Sequence, residues 1–254
     1  MAELATHDFL KHLKDLYPSP GDITKSTDVA CVAVFKNPWY IVASVAFATG
    51  NRPDAVPRIF KYVLADLEQA QDKFQVTGEQ AHAERLLLAR KFRESLFKAG
   101  MVAGYSKVAI NALVSLHEAT PEELRDTKPL RDTRIPIADV EAKGREFFCS
   151  LYGETADHVQ GLLDAIHPDM GWFSNTIAYG IVYGYTDITD ILETSYALVG
   201  TLIAGDTPRQ INWHLANARR NGASLEQGKA VRQIAMEAAS SAGIKWRDGV
   251  PEVE

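Results

Sequence analysis

The chain has few cysteines: Cys31 and Cys149 are the two among 254 residues. They lie far apart in the sequence, and neither belongs to a Cys-x-x-Cys pair, so neither a dithiol redox motif nor a cysteine-based zinc site is predicted. We expect both to be ordinary buried thiols. A thiol peroxidase, whose nucleophile is a reactive thiolate, is therefore disfavoured.

The chain also lacks long apolar runs and an excess of basic residues. The longest apolar run, residues 39–48, is interrupted by Ser44 and is shorter than the ~20 residues that span a bilayer. The formal net charge is −6, whereas a dedicated nucleic-acid-binding protein normally carries a basic patch. We therefore predict that neither a membrane nor a nucleic acid is a partner.

No targeting signal is predicted from the sequence either. The first 20 residues are charged throughout and lack the apolar core of a signal peptide. The last four residues, PEVE, match no retention or peroxisomal signal. From these two observations we expect a cytoplasmic protein.

Helical patterns follow one another along the sequence. Apolar residues recur at the spacing i, i+3, i+4 and i+7, and no convincing run alternates as a strand would. Asp190 followed by Glu193, and Ser224 followed by Gln227, have the spacing of capping boxes. The predicted fold class is all-α.

A proline-bearing stretch, residues 128–136, is the best candidate for a linker. On each side of it, a glutamate opens an apolar helix that leads to a glycine-bearing turn and a second helix; these glutamates are Glu94 and Glu193. We predict a helical bundle of two similar halves, with chance similarity between two buried hairpins as the alternative. The predicted division is an N-terminal helical extension (1–26), a degenerate first repeat (27–127) and a second repeat (137–254).

Residues 193–224 contain the most suggestive chemistry. Glu193 is a carboxylate in an otherwise apolar helix, and His214 lies on the apolar stripe of the next helix. Together they can form an acid/base pair in which the glutamate orients the imidazole or shares its proton. The alternative is that Glu193 only caps its helix and that His214 is a packed core histidine.

Three further residues in this segment are candidate substrate-binding residues, and each has two possible roles. Tyr196, one turn after Glu193, can pack or donate a proton. Asp206, in the turn before Thr207 and Pro208, can cap the following helix or face a pocket. Arg219 can complement the helix dipole or bind a substrate carboxylate.

The same segment resembles the carboxymuconolactone decarboxylase-like domain of the alkylhydroperoxidase D-like superfamily. The matching features are the helix-opening Glu193, the histidine His214 in the next helix, and the sequence ARRNGAS at residues 218–224. Upstream stretches, among them GREFFCSLYG, resemble the longer two-repeat fungal members. The resemblance implies an all-α fold that self-associates. Residues 39–48 and 177–185 also offer more apolar surface than a small bundle needs, so we expect a homo-oligomer.

The resemblance also implies a chemistry. The peroxidase branch places Cys-x-x-Cys between its glutamate and histidine, where this chain reads GDTPR at residues 205–209. The decarboxylase branch needs neither cysteine, metal nor cofactor. We therefore expect a cofactor-free decarboxylase, isomerase or cyclase, acting by general acid/base chemistry on a small carboxylic acid or lactone in small-molecule biosynthesis. Its expected catalytic residues are His214 and Glu193, and its expected substrate-binding residues are Tyr196, Asp206 and Arg219. A thiol peroxidase and a non-catalytic helical oligomer are the alternatives.

Overall fold

The computed structural model describes residues 4–18 and 34–254, and all regular structure within these ranges is helical. The predicted all-α class is confirmed. No helix in the described ranges is both long and apolar enough to cross a membrane. Cys31 and the predicted boundary between residues 26 and 27 lie outside the described residues.

The principal helices follow in chain order, with two π-helices interrupting the α-helical series. They are α1 (His7–Leu16), α2 (Trp39–Thr49), α3 (Val56–Phe74), α4 (Gly78–Ala103), π1 (Tyr105–Ile110), α5 (Asn111–Ala119), α6 (Ile137–Tyr152), α7 (Ala156–Ile166), α8 (Pro168–Phe173), π2 (Ser174–Tyr183), α9 (Ile191–Ala204), α10 (Pro208–Arg220) and α11 (Leu225–Ser241).

The main core surrounds α2. Every residue of this helix is buried, because α3, α4, α9 and α11 pack around it. A helix that is apolar on all faces is stable only in such surroundings. The apolar surface of residues 39–48, from which we expected an oligomer interface, is therefore covered within the chain, and that reason for expecting self-association is wrong.

A smaller core lies between α6, α7 and π2, with Leu198 of α9 beneath it. Two glycines let α6 and π2 approach closely. A Cβ atom on Gly144 would lie 1.8 Å from the carbonyl oxygen of Asn175, and one on Gly180 would lie 2.6 Å from that of Val140. This approach brings the aromatic side chains of the two helices together. Several residues of the stretch 177–185, the second apolar segment from which we expected an oligomer interface, are therefore buried in this core.

The predicted linker does not separate two cores. The main core draws on helices from both sides of residues 128–136. Within the stretch, Arg131 donates to Glu94 Oε2 at 3.0 Å and to the carbonyl of Ile181 at 2.8 Å. Most of the stretch is exposed, and Arg131 ties it to α4 and π2. The arrangement in two similar halves stays a prediction.

Both predicted capping boxes are present. Asp190 accepts from the backbone N–H of Glu193 at 2.8 Å, and the Glu193 carboxylate accepts from the backbone N–H of Asp190 at 3.1 Å. Ser224 and Gln227 make the equivalent pair at the start of α11. Such local pairings depend only on neighbouring residues, which is why the sequence predicts them.

The start of α10 differs from its prediction. Neither Asp206 nor Thr207 caps the helix with its side chain. The Thr207 hydroxyl donates instead to the carbonyl of Leu202 at 3.2 Å. The Asp206 carboxylate accepts from Arg247 Nε at 3.1 Å. Of the two alternatives given for Asp206, capping is therefore not observed, because its carboxylate binds Arg247.

Candidate functional site

His214 faces an apolar cavity from the buried side of α10. Its neighbours on that stripe, Ile211 and Leu215, pack into the core, so the histidine is directed inward with them. The cavity has a volume of about 260 Å³, at the small end for ligand pockets. Aromatic and apolar side chains form most of its wall, including Phe148, Tyr152, Phe173, Tyr179, Leu198 and Trp213.

A chain of hydrogen bonds leads away from the imidazole. Nε2 of His214 lies 3.3 Å from the hydroxyl oxygen of Tyr152, which lies 3.0 Å from that of Tyr179. Nδ1 of His214 is buried and has no hydrogen-bond partner among the described residues. A buried polar atom without a partner is uncommon in folded proteins. One nitrogen is thus hydrogen-bonded, and the other is buried without a partner within the described ranges.

Burial sets the protonation of this group of side chains. It lowers the pKa of His214 from its ordinary value of 6.5 to about 4, so the ring is neutral at neutral pH. It also raises the pKa of Tyr152 and, further, that of Tyr179, so both phenols keep their protons. The hydrogen-bond partner of the ring is a phenol, where the sequence analysis expected the Glu193 carboxylate.

Glu193 is engaged elsewhere. Its Oε1 accepts from Nζ of Lys91 at 2.6 Å, and both side chains are largely buried between α4 and α9. Burial raises the pKa of Glu193, and the ammonium of Lys91 opposes that rise. No hydrogen bond joins Glu193 to His214 within the described ranges. The structure therefore does not bring the predicted catalytic pair together.

Tyr196 and Arg219 also lie away from the His214 cavity. The Tyr196 hydroxyl oxygen is 3.4 Å from that of Tyr17, and the two rings meet edge to face. Arg219 donates to the backbone carbonyls of Ala223 and of Glu254. Neither residue lines the cavity. In the structure Tyr196 joins α9 to the end of α1, and Arg219 holds the chain that follows α10.

Asp206 lines a second, larger cavity beside the first. This cavity, of about 580 Å³, also borders Lys107, Lys245 and Thr49. Its wall shares Val102, Leu202 and Gln210 with the His214 cavity. Of the five predicted site residues, His214 and Asp206 thus face neighbouring cavities. No cluster of His, Cys, Asp and Glu suited to a metal ion occurs in the part of the chain that the structure describes.

The sequence analysis missed Tyr152 and Tyr179. Tyr152 lies 62 residues before His214 in the chain, and only the packing of α6 against π2 and α10 brings them together. A weak local signal existed: Phe148 and Tyr152 are one helical turn apart, as are Tyr179 and Tyr183. Tyrosines in apolar stretches need a partner for their hydroxyl groups when buried.

Comparison with known proteins finds two similar yeast proteins, both named Peroxisomal protein 2. The protein of Saccharomyces cerevisiae (strain ATCC 204508 / S288c) is 24% identical over 261 aligned positions, which cover 85% of this chain and 92% of the yeast protein. That of Schizosaccharomyces pombe (strain 972 / ATCC 24843) is 26% identical over 213 positions, which cover 83% of this chain and 90% of its relative. No family model matches the chain, and no solved structure matches it. The chain is thus similar, along most of its length, to proteins named for the peroxisome.

Proposed function

We propose that the protein is a cofactor-free enzyme that moves a proton on a small carboxylic acid or lactone, with His214 as the base. The observation that carries this proposal is an imidazole in the wall of an apolar cavity, with one nitrogen bonded to Tyr152 and the other buried without a hydrogen-bond partner among the described residues. In the proposed tautomer, Nε2–H donates to Tyr152, whose hydroxyl donates to Tyr179. The lone pair of Nδ1 is then free to accept a proton from the substrate.

The neutral ring suits a reaction that begins with proton abstraction. Removal of a proton from a carbon next to a carbonyl group leaves an enolate, and His214 becomes an imidazolium. These opposite charges stabilise each other in an apolar cavity more strongly than in water. A decarboxylation, in contrast, needs a proton donor once CO₂ has left. Isomerisation or ring closure therefore fits the site better. We assign Glu193 to holding α9 against α4, not to catalysis.

Solvent exchange tests this proposal without knowledge of the natural substrate. The protein is incubated in D₂O with a panel of small lactones and unsaturated carboxylic acids, and deuterium incorporation is followed by NMR. General base assistance contributes roughly 10²–10⁴-fold, so His214→Gln should lower the exchange rate by that factor. His117→Gln, at an exposed histidine of α5, is the matched control and should change nothing.

Two results would contradict the proposal. If His214→Gln exchanges deuterium at the wild-type rate, His214 is a packed core histidine. If the wild-type protein incorporates deuterium into none of the compounds in the panel, the non-catalytic alternative is favoured.

We also propose a peroxisomal location, in place of the cytoplasmic one expected from the sequence. The support is the name of the two yeast relatives, Peroxisomal protein 2. A fluorescent fusion, tagged at either end in separate strains, should colocalise with a peroxisomal marker. A diffuse signal from both fusions would contradict this location.

Self-association and internal repetition complete the proposal. Four exposed apolar side chains between α7 and π2 support a homo-oligomer: Ile166, Met170, Trp172 and Phe173. Light scattering should then give a mass of at least twice the 28.0 kDa of one chain. The two-half arrangement is supported by Glu94 and Glu193, because each is buried and ion-paired. Superposition of α4 and α5 on α9 and α10 tests it.

A further inference from the structure

The larger cavity beside His214 has the charge and the donors of an anion site. We call it the lysine chamber, lined by Thr49, Lys107, Thr201, Asp206, Gln210 and Lys245 among others. We propose that it binds the carboxylate of an amphipathic acid whose apolar body occupies the His214 cavity. The proposal rests on the proposed function for the reaction at His214, but the binding of the acid is tested separately.

Positive charge is in surplus at the chamber. Lys107 and Lys245 both line it, and neither makes an ion pair or hydrogen bond with any described residue. The one carboxylate in its wall, that of Asp206, is already bound by Arg247. Both lysines are exposed, so two accessible ammonium groups are left for an anion that comes from outside the chain.

Helix α10 begins at the chamber wall. Its N-cap residue, Thr207, directs its hydroxyl to the carbonyl of Leu202 and leaves the first turn without a side-chain cap. The first N–H groups of a helix need acceptors, and the helix dipole favours negative charge at this end. An anion in the chamber can supply both needs.

Thr49 provides independent evidence for a ligand. It lines the chamber and is 2% exposed, yet its hydroxyl has no hydrogen-bond partner among the described residues. The neighbouring Thr201, in contrast, donates to the carbonyl of Ala197 at 2.7 Å. A buried hydroxyl without a partner is destabilising. A carboxylate oxygen in the chamber would accept its hydrogen bond.

The position of the chamber fits an acid that reaches His214. Gln210 borders both cavities and lies one turn before His214 on α10, about 6 Å along the helix axis. An acid held at the lysines therefore extends its chain past Gln210 and into the apolar cavity. Its negative charge would also favour the imidazolium form of His214. Charged groups beyond the carboxylate would be poorly tolerated in that cavity.

Binding of simple probes tests this inference. Octanoate carries a carboxylate on an apolar chain, octanol has the chain alone, and acetate has the carboxylate alone. Calorimetry should show saturable octanoate binding that weakens at least tenfold in Lys107→Gln/Lys245→Gln. The control, Lys128→Gln/Lys229→Gln, removes the same charge from exposed positions outside the chamber and should bind as the wild type does. Octanol binding should be insensitive to both double variants, and acetate should bind more weakly than octanoate.

A second variant addresses the apolar end of the site. Ala178 lines the His214 cavity, so Ala178→Leu should weaken both octanoate and octanol binding. The proposal is overturned if octanoate does not bind, or if Lys107→Gln/Lys245→Gln binds it as tightly as the control double variant does. His214→Gln should lose deuterium exchange but keep octanoate binding. If His214→Gln still exchanges deuterium while octanoate binding still depends on Lys107 and Lys245, the proposed function fails and this inference stands.

Discussion

Replacement of Glu193 by glutamine separates the structural role of this residue from the catalytic role expected from sequence. Glutamine keeps the size of the side chain and an oxygen that accepts the N–H of Asp190, so the capping box survives. What is lost is the negative charge beside Lys91. The ammonium of Lys91 then remains between α4 and α9 with its side chain 10% exposed and without its partner.

The expected cost follows from these surroundings. Removal of one partner from a buried ion pair costs about 3–5 kcal/mol, because the remaining charge is neither solvated nor paired. The neighbouring groups offer little compensation: Lys98 on the same helix is also cationic, and Phe35 provides a weak cation–π contact at 5.7 Å. For a chain of this length, each kcal/mol lowers Tm by about 2–4 °C. We expect Glu193→Gln to melt roughly 10 °C below the wild type.

Thermal and urea unfolding measure this loss, with two variants as references. Lys91→Met/Glu193→Gln removes the unpaired charge and should recover most of the loss, since well-packed apolar replacements of buried pairs are often neutral. Glu252→Gln removes a glutamate that is 77% exposed from its pair with Arg232, which keeps the carbonyls of Pro251 and Val250 as acceptors, and should cost no more than about 1 kcal/mol. A Glu193→Gln protein that melts like the wild type but loses turnover would refute the reasoning and restore Glu193 as a catalytic group.

Three further predictions concern protonation, packing and thiols. Burial depresses the pKa of His214 in the folded chain to about 4, so the unfolded chain binds the proton first as pH falls. The stability that this neutral ring contributes is fully present above pH 6.5 and is lost as the pH falls toward 4. At pH 5 the free energy of unfolding should be lower by about 2 kcal/mol. Urea unfolding should show this slope in the wild type and its loss in His214→Gln. Gly144→Ala should cost at least about 1–3 kcal/mol, because its Cβ would overlap a carbonyl oxygen, whereas Gly161→Ala, with open space around it, should not destabilise α7. Cys31→Ser/Cys149→Ser should keep its deuterium exchange, and measurable peroxide reduction that this variant loses would revive the peroxidase alternative.

The sequence predicts most of the local structure because local structure depends on neighbouring residues. The extents of α2 and α9, both capping boxes and the inward direction of His214 follow from spacings of three and four residues. The two π-helices do not, because they arise where tertiary packing displaces the regular hydrogen bonds. In π2 the glycine contacts with α6 impose that packing. The packing of α6 on α10 places Tyr152 beside His214, so the partner of the histidine was not predictable from its own segment.

The ion pair of Glu193 with Lys91 was not predicted, although a sequence signal for it existed. Lys91, Glu94 and Lys98 lie at i, i+3 and i+7 on α4, so three charged side chains share one face of that helix. All three are buried, and buried charges require partners. Lys98 finds the hydroxyls of Thr189 and Thr194 at 2.9 and 2.8 Å, next to the glutamate that binds Lys91. A charged stripe on an otherwise apolar helix thus predicts that complementary polar groups come from another helix. The polar start of α9 is where this chain supplies them, and this requirement accounts for the position of Glu193 beside Lys91.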